Sequence, residues 1–210
     1  MTTGSQSAPP QRSHARSNRA RLLAAARAEL SRDPDVSLDE IARAAGVVRR
    51  TLYGHFPNRE ALIDALATEA GERLEEALTS ARRPDADPPT ALAGLVLASW
   101  QVGDHYRMLI SLARHRLGEE RLRAILAPAR AEAVAILERG QRDGTFASHL
   151  PAPVLALATE SVALAILESQ ESSEWSDPTG EAAAAAVLIT AGVDPTAARR
   201  YVQAALTTDR

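Results

Sequence analysis

The chain of 210 residues contains no cysteine. That excludes disulfides, thiolate metal sites and cysteine nucleophiles. Lysine is also absent, so all 24 basic residues are arginine, and aromatic side chains make up only 3% of the chain. The five histidines (His14, His55, His105, His115 and His149) are scattered, with no pair at metal-ligand spacing on one helix face. No apolar run reaches membrane-spanning length, and no charged stretch followed by an apolar one opens the chain. No P-loop, nucleophile elbow or His–Glu metal motif is present. The expectation is a cytoplasmic protein with no membrane partner, no metal, no cofactor and no catalytic residues. An enzyme on this scaffold would need Asp104, His105 or Glu160 to converge with a serine, and nothing in the sequence requires it.

What is present points to helices. Hydrophobic residues are 45% of the chain, and alanine and leucine carry most of that share. Both favour helix, while the β-branched and aromatic residues that favour strands are sparse. The charge is uneven. Residues 1–60 hold ten Arg against six Asp and Glu, a balance of +4; the remainder holds fourteen against twenty-one, a balance of −7, which together give the net −3. A basic N-terminal part on an acidic body suggests that the N-terminal part meets a polyanion.

Residues 1–14 are rich in Ser, Pro and Gln and read as a flexible arm. Helical periodicity begins at Arg16 and runs to Ser31, with Leu22, Leu23, Ala26 and Leu30 on one stripe. The arginines on its other face (Arg16, Arg19, Arg21 and Arg27) read mostly as solvated. Asp33-Pro34-Asp35 stops this helix. Ser37 and Glu40 form an S-x-x-E capping box for a short second helix, Leu38 to Ala45, which Gly46 ends. A third helix spans about Val48 to Phe56. Pro57 breaks it, and Asn58 caps a long fourth. Arg83 to Pro89 is a Pro/Asp-rich linker. Further helices are expected at about 90–103, 105–117, 119–142 (kinked at Pro128), 152–170, 179–191 and 195–207. The 182–189 stretch is so continuously apolar that burial on several sides is expected.

Residues 37–56 carry the most information. Two short helices joined by Ala45-Gly46-Val47 make a helix-turn-helix, with Ile41, Ala45, Val47, Leu52 and Phe56 turned inward. The second helix is then free to enter a major groove by its N-terminus. Its outward residues, Arg49, Arg50, Thr51, Tyr53 and His55, can donate to phosphates or to base edges, and arginine is the best donor to guanine O6 and N7.

The string SLDEIARAAGVVRRTLYGHFPNREALIDAL, residues 37–66, resembles the DNA-binding signature of the TetR family of regulators. Both the IAxxAGV turn (Ile41, Ala42, Ala45, Gly46, Val47) and the TLYxHF core (Thr51, Leu52, Tyr53, His55, Phe56) are intact. A GTF segment (Gly144, Thr145, Phe146) followed by a Pro-led helix also resembles a common feature of such proteins. The resemblance implies an all-α fold: a three-helix helix-turn-helix head over residues 15–60 and a helical effector-binding and dimerisation body over 61–210. It places Ser37, Tyr53 and His55 at phosphates, Arg59 where a lysine is usual, and Arg49 and Arg50 at the start of the recognition helix. Val48 departs from the serine common there and gives up a side-chain cap.

The implied function is a transcription regulator. It would bind a near-palindromic double-stranded DNA operator as a homodimer, repress nearby genes, and let go when a small-molecule effector of unknown identity binds. The alternative is a DNA-binding regulator under protein-partner or constitutive control, which predicts a filled body without a cavity. Candidate effector-pocket residues are Trp100, Asp104, Tyr106, Met108 and Glu160; for each, ordinary packing or surface exposure is the competing account. The candidate dimer interface lies on the helices near 152–170 and 179–191, through Ala158, Val162, Ala165, Ala184, Val187 and Leu188.

Overall fold

The computed structural model describes residues 10–107, 110, 118–170 and 175–207. Among them nine helices and no strands occur: α1 (Pro10–Arg32), α2 (Leu38–Ala44), α3 (Arg49–His55), α4 (Arg59–Ala81), α5 (Pro88–His105), α6 (Glu119–Asp143), α7 (Ala152–Ser169), α8 (Glu181–Thr190) and α9 (Pro195–Thr207). The first helix starts at Pro10, so part of the stretch read as an arm is helical. The helix expected over 105–117, with Met108 and His115, falls largely outside the described residues.

Local chemistry sets the boundaries. The Ser37 hydroxyl accepts from the Glu40 amide at 3.2 Å, and the Glu40 carboxylate accepts from the Ser37 amide at 2.9 Å, so the expected capping box closes the start of α2. At the other end, Gly46 takes φ +65°. Its amide donates to the Arg43 carbonyl, and the Val47 amide donates to the Ala42 carbonyl, both at 3.0 Å. These two bonds make a Schellman stop, which needs the left-handed residue that glycine supplies without strain. Asn58 caps α4 by accepting from the Ala61 amide at 2.8 Å. Asp87 caps α5 in the same way, accepting from Thr90 at 3.0 Å, so α5 starts inside the expected linker.

Two main cores form. In the head, Leu22, Leu23, Ala26 and Leu30 of α1 meet Ile41, Leu52 and Phe56 of the helix-turn-helix. In the body, Leu92 of α5, Leu137 of α6, Leu155 of α7 and Leu188 of α8 pack with Val202 of α9. α4 joins the two, giving Leu62 and Leu66 to the head and Leu78 to the body. The GTF segment seals the end of α6: Phe146 lies so close to Gly140 that a Cβ there would sit 2.2 Å from its ring.

Two sequence expectations need correction here. α8 is buried on one face only: Ala183, Ala184, Val187 and Leu188 are inside, while Ala182 and Ile189 are exposed. Its alanines are small enough for close packing on one side and neutral enough to leave uncovered on the other. Second, α7 has 18 residues with mean hydropathy 1.5, enough by length and composition to cross a bilayer. It packs between α6 and α8, and Glu160 at its middle is ion-paired with Arg130. Only its inner face is covered: Leu155, Ala156, Thr159 and Leu167 are buried, while Val154 and Leu157 are exposed.

Candidate nucleic-acid interface and effector cavity

The head holds α3 by three ties. Arg21 of α1 donates to the Ala45 carbonyl at 2.7 Å and fixes the end of α2. The Arg19 guanidinium lies 5.7 Å from the Phe56 ring centroid, at the far end of α3. Arg59 donates to the carbonyls of Val36 and Pro34, pinning the loop before α2 to the start of α4. Arg19 and Arg21 therefore serve as braces as well as surface charge. Arg59, expected at the DNA backbone, spends its guanidinium on two carbonyls. The reason is geometric, because the capped start of α4 aims this side chain back at the 34–36 turn.

What this frame presents is the first turn and outer face of α3. Val48, the residue before the helix, is 70% exposed and makes no side-chain cap. Arg50 and Tyr53 are exposed, while Thr51 and His55 are half-buried. Among the described residues, no carboxylate lies within ion-pair distance of Arg50. Arg49 is held instead: its Nη1 meets Asp39 Oδ2 of α2 at 2.8 Å, and its guanidinium stacks 5.3 Å from the Tyr53 ring centroid. Asp39 was not among the sequence candidates. Its position in the first turn of α2 reads as simple helix-dipole stabilisation, and only the crossing of α2 over α3 brings it to Arg49. Ser37 sits at the open start of α2, with its carboxylate partner Glu40 held below the ordinary carboxylate range by the hydrogen bonds from the Ser37 hydroxyl and amide.

The body contains an apolar cavity of about 160 Å³ between α4, α5, α6 and α7. Of the pocket candidates, Trp100, Tyr106 and Glu160 line it. Asp104 does not: it is exposed and paired with Arg107 at 3.1 Å, on a different face of α5 from the lining residues Val102 and Gly103 beside it. Met108 is outside the described residues. Trp100 is 3% exposed and donates its Nε1 to the Asp177 carbonyl at 2.8 Å. The Asp177 carboxylate in turn accepts from the amides of Gly180 and Ala183 at 3.0 and 2.9 Å, capping α8. Glu160 is clamped by Arg130, missed in the sequence, through two bonds of 2.9 and 2.7 Å.

The interface candidates divide. Ala158, Val162 and Ala165 lie on the partly open face of α7, next to Val154 and Leu157, which are 47% and 50% exposed. Ala184, Val187 and Leu188 are at most 1% exposed. They point into their own protomer's core and cannot be a contact surface. The outward stripe of α8 is Ala182, Ala185 and Ile189.

Comparison with known proteins agrees with this architecture. Residues 22–66 match the family model for bacterial regulatory proteins of the tetR family. The chain is 36% identical over 103 residues to the HTH-type transcriptional regulator EthR of Mycolicibacterium smegmatis, a match covering 44% of this chain and 46% of that one. The alignment thus spans about half the length of that relative. Among solved structures, a tetR-family regulatory protein from Rhodococcus RHA1 is 26% identical with a TM-score of 0.65, covering 84% of this chain and 98% of its own. RolR in complex with resorcinol is also 26% identical, with a TM-score of 0.54 and coverage of 90% and 95%. The head thus carries the DNA-binding region of tetR-family bacterial regulatory proteins, and the chain as a whole shares the fold of a tetR-family regulator of known structure.

Proposed function

We propose that this protein is a dimeric transcriptional repressor that docks α3 of each protomer in successive major grooves of a near-palindromic operator, and that a small apolar effector in the body releases it. The observation that carries the DNA-binding part is the exposed face of α3. An unpaired Arg50 and a Tyr53 with its stacked Arg49 stand on a helix whose other side is locked into the head core. Arginines at a helix N-terminus repel its dipole in the free protein and are relieved by phosphate or by a guanine edge. Ser37, Val48, Thr51 and His55 complete the proposed contact surface.

The dimer is supported by the apolar stripes on α7 and α8. Val154, Leu157, Val162 and Ala165 run along one helix, and Ala182, Ala185 and Ile189 along the other. Two such pairs build a four-helix interface with small residues where the helices must approach. The cavity favours a small-molecule signal over control by a protein partner alone, which would leave the body filled. A dry apolar cavity of about 150 Å³ accommodates benzene, so the volume suits a single-ring compound. The neighbour RolR was solved with the one-ring ligand resorcinol.

The test is a gel shift against the promoter region beside the protein's own gene, over a salt series. A discrete band that weakens steeply with salt is expected from phosphate contacts made by two heads. A band equally strong on unrelated DNA would remove the operator-specific reading.

A further inference from the structure

A cavity acts on a distant helix only through an element that both sites bias. Tyr106 is where the two meet. It follows α5, is 4% exposed, lines the cavity and also packs in the head core. Its hydroxyl accepts a hydrogen bond from Arg27 Nη1 of α1 at 3.2 Å, and the same nitrogen pairs with Glu69 Oε2 of α4 at 3.3 Å. The Arg27 guanidinium also lies 5.3 Å from the Tyr106 ring centroid. Arg27 and Glu69 are each only 23% exposed, so solvent screens this junction less than it would an open surface pair. One arginine thus joins the head, the connecting helix and the cavity wall.

Resting on the effector reading above, we propose that the Arg27–Glu69–Tyr106 junction carries the state of the cavity to the DNA-binding head. A ring-sized occupant seated against Tyr106 displaces the phenol, and the hydroxyl leaves Arg27. The α1–α4 contact then loses its shared polar partner and the angle between the helices relaxes. Because Leu22, Leu23 and Ala26 of α1 are packed against the helix-turn-helix, α3 moves with α1. Arg27 and Tyr106 are positioning residues in this account. A separate polar tie from the body to α4 is Arg121 of α6, which meets Asp64 at 2.9 Å and Thr68 at 2.8 Å. It reaches α4 without touching α1 and serves as the control.

The absence of native cysteine allows clean labelling. Ala44→Cys on α2 and Ala135→Cys on α6, both exposed, would carry spin labels on the full chain, and the label–label distance would be read by pulsed electron resonance with and without phenol as the probe. Thermal melting reports phenol binding separately. Without further substitution, phenol should raise the melting temperature and shift the distance by about 2 Å, the scale of helix shifts in switching proteins. In Tyr106→Phe, which keeps the ring, and in Arg27→Gln, the melting shift should remain while the distance change is lost; Arg121→Ala should keep both. An undiminished distance change in Tyr106→Phe and Arg27→Gln would overturn the proposal, as would bound phenol that moves nothing in the unsubstituted protein. No rise in melting temperature at any phenol concentration would instead sink the effector reading, and the relay with it.

Discussion

The head and the body of this molecule keep their shape by different means. α2 and α3 have seven residues each, too short to persist alone. The head therefore relies on named polar devices: the capping box, the Schellman glycine, and the bonds from Arg21 and Arg59 to carbonyls. The body has helices of up to 25 residues and holds them mainly by leucine and alanine packing, leaving a cavity at the centre. Under the proposed function, the part that would present α3 to DNA is over-determined, and the part that would admit an effector has slack.

Asp177→Ala removes the carboxylate that satisfies two amides at the start of α8 beneath Trp100. It should cost about 3 kcal/mol of stability in urea titration, combining a lost cap with buried unpaired amides. A change within about 0.5 kcal/mol, as surface substitutions give, would mean the body does not depend on that polar knot.

Tyr53→Ala or Arg50→Ala should each weaken operator binding by about 1–3 kcal/mol if the side chain reads or clamps DNA, with the melting curve unmoved. Loss on the operator alone marks base reading, and equal loss on every duplex marks phosphate contact. Arg59→Ala sharpens the comparison from the other side. It frees the carbonyls of Val36 and Pro34 and should lower stability by about 1 kcal/mol, with affinity falling only as the head loosens. Unchanged stability with lost affinity would return Arg59 to the DNA contacts.

Val48→Ser should do the reverse and stabilise the protein by up to about 1 kcal/mol, because α3 starts without a side-chain cap. The smallest effect concerns pH. The folded state holds Glu40 below its ordinary value of 4.5, so the capping box is fully stabilising above that value and loses its contribution as pH falls through the lower folded-state value. Protection of the Ser37 and Glu40 amides, taken relative to their intrinsic exchange rate at each pH, should therefore fall at the acid end, and Glu40→Gln should remove that dependence.

The head was legible because its signals are local. Ser37 with Glu40, Gly46 and Asn58 each act within a few residues, and the structure places each cap where the spacing puts it. The long-range partners were not legible. Arg27 and Tyr106 are 79 positions apart, and Arg130 and Glu160 are 30 apart; no periodicity links them. The same limit explains the misread faces. A run of small apolar residues such as 182–189 looks alike all round, so the pattern cannot tell the side that packs inward (Ala184, Val187, Leu188) from the side left open (Ala182, Ile189). Asp104 misled for a related reason, since a polar residue near pocket-lining ones in sequence lies on another face of the helix.

Selection of bound sequences from randomised duplexes by the purified full chain tests whether two heads read one operator. Enrichment of two inverted half-sites about one helical turn apart is expected, with weaker binding to the selected sequences in Tyr53→Ala. A single unrepeated half-site, or no enrichment at all from a folded protein, would contradict that reading.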